Sequence, residues 1–129
     1  HYRLLAHINE VAEAGLMLAD FAYSHWPDEW TKKLDRQELL QILLLHDLDK
    51  YLLLSDESLE MSIAHGTLSA MILNDLGFDS RVIEAVASHS PSASLHLDDP
   101  ASMILHYCDL FSCDHIYMLV SRTPHYCMK

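Results

Sequence analysis

The chain has 129 residues, half of them hydrophobic, with 19 acidic against 8 basic side chains and a formal charge of -11 at neutral pH. That length suits one domain with a real core. A surface so negative repels polyanions, so neither a nucleic-acid polymer nor an anionic membrane is an expected partner.

Three glycines and four prolines in the whole chain argue for a compact helical protein rather than a turn-rich β one. Cys108, Cys113 and Cys127 form no CxxC pair, which points to a reducing, cytoplasmic setting rather than a secreted disulfide framework. No apolar run reaches the roughly 20 residues that a membrane span requires. The chain reads as one domain over residues 1–129, and its start at His1 is expected of a fragment of a longer protein.

The expected fold is an all-α bundle of about five core helices. From Leu4 to Tyr23, Leu4, Ile8, Val11, Leu16, Leu18 and Ala22 recur at helical spacing, and His7 shares their inward stripe with Leu4 and Val11. Residues 24–34, with Trp26, Pro27 and Trp30, read as a connection. Asp35 with Glu38 forms a capping-box pattern that opens a second helix, expected to run through LLLHDLDKYLLL to about Leu54. Ser55 can cap a third helix that stops at Gly77. A fourth begins after Asp79 or Ser80 and ends before Pro91, and Asp99 with Pro100 opens a fifth through about Val120.

The leucine run poses the central question, because burying unpaired charges costs several kcal/mol. His46, Asp47, Asp49 and Lys50 all fall inside it. Each proposed helix carries a metal-ligand type on or beside its apolar stripe: His7, His46 with Asp47, His65, His89 and Asp109. Imidazoles and carboxylates suit divalent iron, manganese, nickel or zinc, and four His with two Asp exceed one tetrahedral site. Two metals fit the count, with Asp47 as the natural bridge.

In this order the residues resemble the H…HD…H…H…D signature of the HD-domain metal-dependent phosphohydrolases. The matching stretches are His7 in LLAHINEVAEAGLMLAD, His46 and Asp47 in LLLHDLDKY, His65 in IAHGTLSAMIL, His89 in VIEAVASHS and Asp109 in MILHYCDLF. The resemblance implies that His7, His46, Asp47 and Asp109 hold one metal, and that Asp47, His65 and His89 hold a second, as in the binuclear members. Two divalent ions are implied, iron or manganese foremost, with nickel, zinc, cobalt or magnesium as alternatives. Lys50 matches a position that contacts the substrate phosphate or its leaving oxygen, so Asp47 and Lys50 are the expected catalytic pair. Asp49 stands where the family commonly has Gly and is expected to add negative charge beside Lys50.

The implied activity is hydrolysis of a small phosphorylated metabolite or nucleotide. The alternatives are a mixed-valence di-iron oxygenase cleaving a C–H or C–P bond, and a non-catalytic metal-binding module. The oligomeric state stays open, a homodimer included. His106 and His115 are candidates for lining the pocket or orienting a ligand. Trp26, Trp30 and Tyr51 read as core or interface rather than as a substrate wall. His1, His25, His96 and His125 read as surface.

Overall fold

The computed structural model describes residues 2–53, 66–90, 93 and 98–128. Among these residues the fold is all-α, without strands. Its elements are α1 (Tyr2–His25), α2 (Asp28–Thr31), α3 (Arg36–Leu45), α4 (Leu48–Leu53), α5 (Thr67–Asp75), α6 (Ser80–Ser88), α7 (Pro100–Leu119) and a 3₁₀ turn (His125–Cys127). No helix among the described residues is long and apolar enough to cross a membrane.

α1 packs along α7 and α3, α3 also meets α6 and α7, and α5 lies on α6. Their common core holds Val11, Ala19, Leu39, Leu43, Leu73, Val82, Val86, Ile104 and Leu105. The buried face of α1 is Ile8, Val11, Gly15, Ala19 and Ala22, whereas Leu18 is exposed. The small residues on that face let α3 come close. A Cβ on Gly15 would lie 2.5 Å from Leu43 Cδ1.

Three helix starts follow local capping chemistry, in which a short polar side chain satisfies one of the first free N–H groups. Asp35 accepts from the Glu38 amide at 2.9 Å, Asp79 from the Arg81 amide at 2.9 Å, and Asp99 from the Ser102 amide at 2.9 Å with Pro100 next to it. The expected connection at 24–34 contains the short helix α2, with Trp26 packed at the edge of the core.

One expectation is overturned. The helix opened by Asp35 does not continue to Leu54: α3 ends at Leu45, the chain turns at His46–Asp47, and α4 restarts at Leu48. Nor is α3 buried all round, since Leu40 and Leu44 are exposed while Leu39, Ile42 and Leu43 are buried. The break brings both His46 and Asp47, neighbours in the chain, to full burial. On a continuous helix, adjacent side chains point about 100° apart and cannot both face one point. The expected start of the third helix near Ser55, and His65 on it, lie outside the described residues. The described part, α5, begins after Gly66 and stops before Gly77.

Candidate metal centre

α3 and α6 deliver histidines by the same device. Leu39, Ile42, Leu43 and His46 form one i, i+3, i+4, i+7 stripe, and Val82, Ala85, Val86 and His89 form another. Each histidine is the C-cap of its helix. There the last carbonyls lack intrahelical partners. The His46 Nδ1–H donates to the Leu43 carbonyl at 2.9 Å, and the His89 Nδ1–H donates to the Val86 carbonyl at 2.6 Å. Each bond satisfies a helix end and fixes the tautomer that leaves the Nε2 lone pair facing inward.

His7 on α1 and Asp109 on α7 close the cluster from the other side. His7 Nε2 lies 3.0 Å from Asp109 Oδ1 and 3.2 Å from Asp47 Oδ2, and His46 Nε2 lies 3.4 and 3.3 Å from the same two atoms. Ligand atoms of His7, His46, Asp47 and Asp109 all fall within 4.8 Å of one another. His89 joins at the edge, its Nε2 3.5 Å from Asp47 Oδ1 and its ring 5.1 Å from that of His46.

Two imidazole nitrogens and two carboxylates this close repel one another unless positive charge lies between them. The electrostatics of the metal-free cluster register that demand. Burial works against a charged imidazole, yet the Asp109 and Asp47 carboxylates outweigh it and hold His46 up to about 10 and His7 above its ordinary 6.5. Burial likewise opposes ionisation of Asp109, but the His46 and His7 imidazoles beside it keep it well below the usual carboxylate range. Both Nε2 atoms, sealed from solvent, make no hydrogen bond of acceptable geometry. A divalent ion satisfies these donors, and the C-terminal ends of α3 and α6 add negative potential that favours it.

Ser112 and Lys50 frame the cluster. Ser112, fully buried one turn beyond Asp109, holds His7 Nδ1 at 2.9 Å, so the ring presents Nε2 to the carboxylates. Sequence reasoning gave Ser112 no role; a hydroxyl one helical turn beyond Asp109, on the same face, was the available signal. Lys50 Nζ stands 3.0 Å from Asp47 Oδ2 with its side chain 42% exposed, reaching from the surface to the buried cluster. Burial lowers its affinity for the proton, but the Asp47 charge prevails and raises it, so Lys50 is cationic at neutral pH.

Other expected residues take different places. Asp49 turns away from Lys50, its neighbour in the chain: it is 1% exposed, and its Oδ2 accepts from the Gly66 amide at the start of α5. His115 is exposed and bonds Glu10 Oε2 at 2.8 Å, which ties α7 to α1. His106 stacks edge-on against Tyr107 and is not part of the cluster. His25 is a surface residue capping the Phe21 carbonyl, and His125 pairs with Asp114 at 2.7 Å. His1, His65, His96 and the Tyr51 side chain lie outside the described residues.

Fold and site together define an all-helical protein whose core gathers imidazoles and carboxylates able to hold a metal ion. The family model of the HD domain matches residues 4–114, and the chain belongs to that family. Membership places it in a superfamily made up mostly of metal-dependent hydrolases. Comparison with curated proteins and with solved structures gave no match.

Proposed function

We propose that the protein is a cytoplasmic metal-dependent phosphohydrolase, a phosphomonoesterase or phosphodiesterase acting on a small phosphorylated metabolite or nucleotide. The reading takes two divalent ions, iron or manganese, one held by His7, His46, Asp47 and Asp109 and the other by Asp47, His65 and His89. The observation that carries it is the division of labour within one carboxylate: Asp47 Oδ2 faces His7 and His46 while Oδ1 faces His89.

When bound, the ions supply a water of lowered pKa at neutral pH and countercharge for phosphoryl oxygens. The chain's own residues do the rest. Asp47 holds both half-sites in register from a fully buried position. Ser112, Leu43 and Val86 keep the imidazoles in the tautomer that leaves Nε2 available. Lys50 is fixed at its inner end by Asp47 and open to solvent on its outer side. It can therefore turn its ammonium to an incoming phosphoryl or leaving oxygen, where added positive charge counts most.

The test is release of phosphate or alcohol from a panel of phosphomonoesters and phosphodiesters by manganese- and iron-loaded protein. Lys50→Ala is expected to retain metal while losing roughly 10²-fold in kcat. Asp47→Ala is expected to lose both metal and turnover, and full activity in that variant would refute the reading. Oxygen uptake by the iron form without phosphate release would replace the hydrolase with the oxygenase.

A further inference from the structure

Asp49 is fully buried one residue before Lys50, yet the reaction proposed above makes no use of it. Two of its contacts, both to described residues, run to the start of α5. The Asp49 amide donates to the Ser69 hydroxyl at 2.6 Å, and the Gly66 amide donates to Asp49 Oδ2 at 3.2 Å. Ser69 is itself fully buried. Two reciprocal bonds thus clamp the first turn of α4, which follows directly on Asp47, to the first turn of α5.

Gly66 is the point where this clamp meets α6. Its φ of +89° is a left-handed conformation that side-chained residues rarely adopt. A Cβ there would lie 2.9 Å from the Val86 carbonyl oxygen and 3.4 Å from His89 Cε1. That same Val86 carbonyl accepts the His89 Nδ1–H. Gly66 also directly follows His65 in the chain. The Asp49 carboxylate therefore anchors the backbone that packs against the ring and tautomer-setting carbonyl of His89. His7 and Asp109, on α1 and α7, have no share in the clamp.

We propose that Asp49 is a positioning residue for one half of the centre only. It sets His89 against Asp47 Oδ1, while the half-site of His7, His46, Asp47 and Asp109 forms without it. The proposal rests on the two-metal reading above and names the residue that makes the second half-site. A glycine at this position would lack the carboxylate that receives the Gly66 amide.

The experiment is a stepwise Mn²⁺ titration of the full chain, followed by calorimetry and electron paramagnetic resonance. Wild type is expected to take up two ions in separable steps. Asp49→Asn, whose amide oxygen can still accept the Gly66 N–H, is expected to keep both. Asp49→Ala is expected to leave the first step unchanged and to weaken the second by roughly tenfold to a hundredfold, the usual effect of removing a group that orients a ligand. Ser69→Ala removes the other bond without touching a carboxylate and is expected to weaken the second step in the same direction, which decides the matter should Asp49→Ala not fold. Equal loss at both steps, or no loss at either, overturns the proposal and leaves the two-metal reading standing. A wild type that takes up one ion only overturns that reading and the proposal with it.

Discussion

Replacing Ser112 by Ala removes one oxygen from a fully buried position and leaves the His7 Nδ1–H, 2.9 Å away in the native protein, without an acceptor. His7 is itself only 4% exposed, so water cannot readily take the place of the hydroxyl. Orphaning a buried donor costs about 1–3 kcal/mol, which should appear as a lower urea midpoint in the metal-free protein. A second and separate effect follows for metal. Without the Ser112 oxygen the ring is free to rotate or to change tautomer, and loss of such a partner typically weakens binding by about 10–100-fold. That is about 1.4–2.7 kcal/mol of binding free energy. Calorimetric titration with Mn²⁺ measures the second effect, and urea unfolding with chelator present measures the first. Ser88→Ala is the control, because the Ser88 hydroxyl bonds only carbonyls of its own helix, Glu84 and Ala85. Wild-type Mn²⁺ affinity in Ser112→Ala would refute the role given to this hydroxyl, whatever happened to stability.

The pH dependence of the metal-free protein should be unusual for its alkaline side. His46 is held up to about 10 from an ordinary 6.5, so its contribution is complete below about pH 6.5 and is lost as pH rises through about 10. Asp109, held below its ordinary 3.8, contributes fully above about pH 4 and loses that contribution on acidification. Urea midpoints in chelator should therefore peak between about pH 4 and 6.5 and fall toward pH 9, and metal loading should flatten that fall because a metal takes the neutral ring. A chelated protein that gains stability from pH 7 to 9 would contradict the charge state assigned to His46. At Gly15, alanine gains about 1 kcal/mol of helix propensity but drives a methyl to 2.5 Å from the fully buried Leu43, an overpacking worth about 1–3 kcal/mol. Gly15→Ala should thus lower the melting temperature, and a rise would mean that α1 and α3 separate more easily than their packing implies.

Much of this arrangement was legible in the chain because its helices obey local rules. Asp35, Asp79 and Asp99 mark helix starts in the sequence and cap them in the structure. His7 and His89 could be placed inward by periodicity alone, since each sits on an apolar stripe that the fold does bury. The break at His46–Asp47 was hidden by composition. A leucine run with strong helix formers on both sides carries no glycine or proline to announce a turn. At the end of α3 the histidine bonds back to the Leu43 carbonyl while its ring and Asp47 enter the buried cluster, a tertiary demand with no propensity signature. Asp49 was misplaced for the same reason, since its position beside Lys50 along the chain says nothing of the turn that sends it to Gly66. Ser112 lacked a role because its partner lies 105 residues away.

Metal content per chain is the decisive measurement. Elemental mass spectrometry should be run on protein purified without added metal or chelator, and again after reconstitution with iron or manganese. About two equivalents are expected, matching the two faces that Asp47 presents to His7 with His46 and to His89. Less than half an equivalent after reconstitution would mean that the cluster is held together by protons and Lys50 alone, and the metal-dependent chemistry proposed for it would fall.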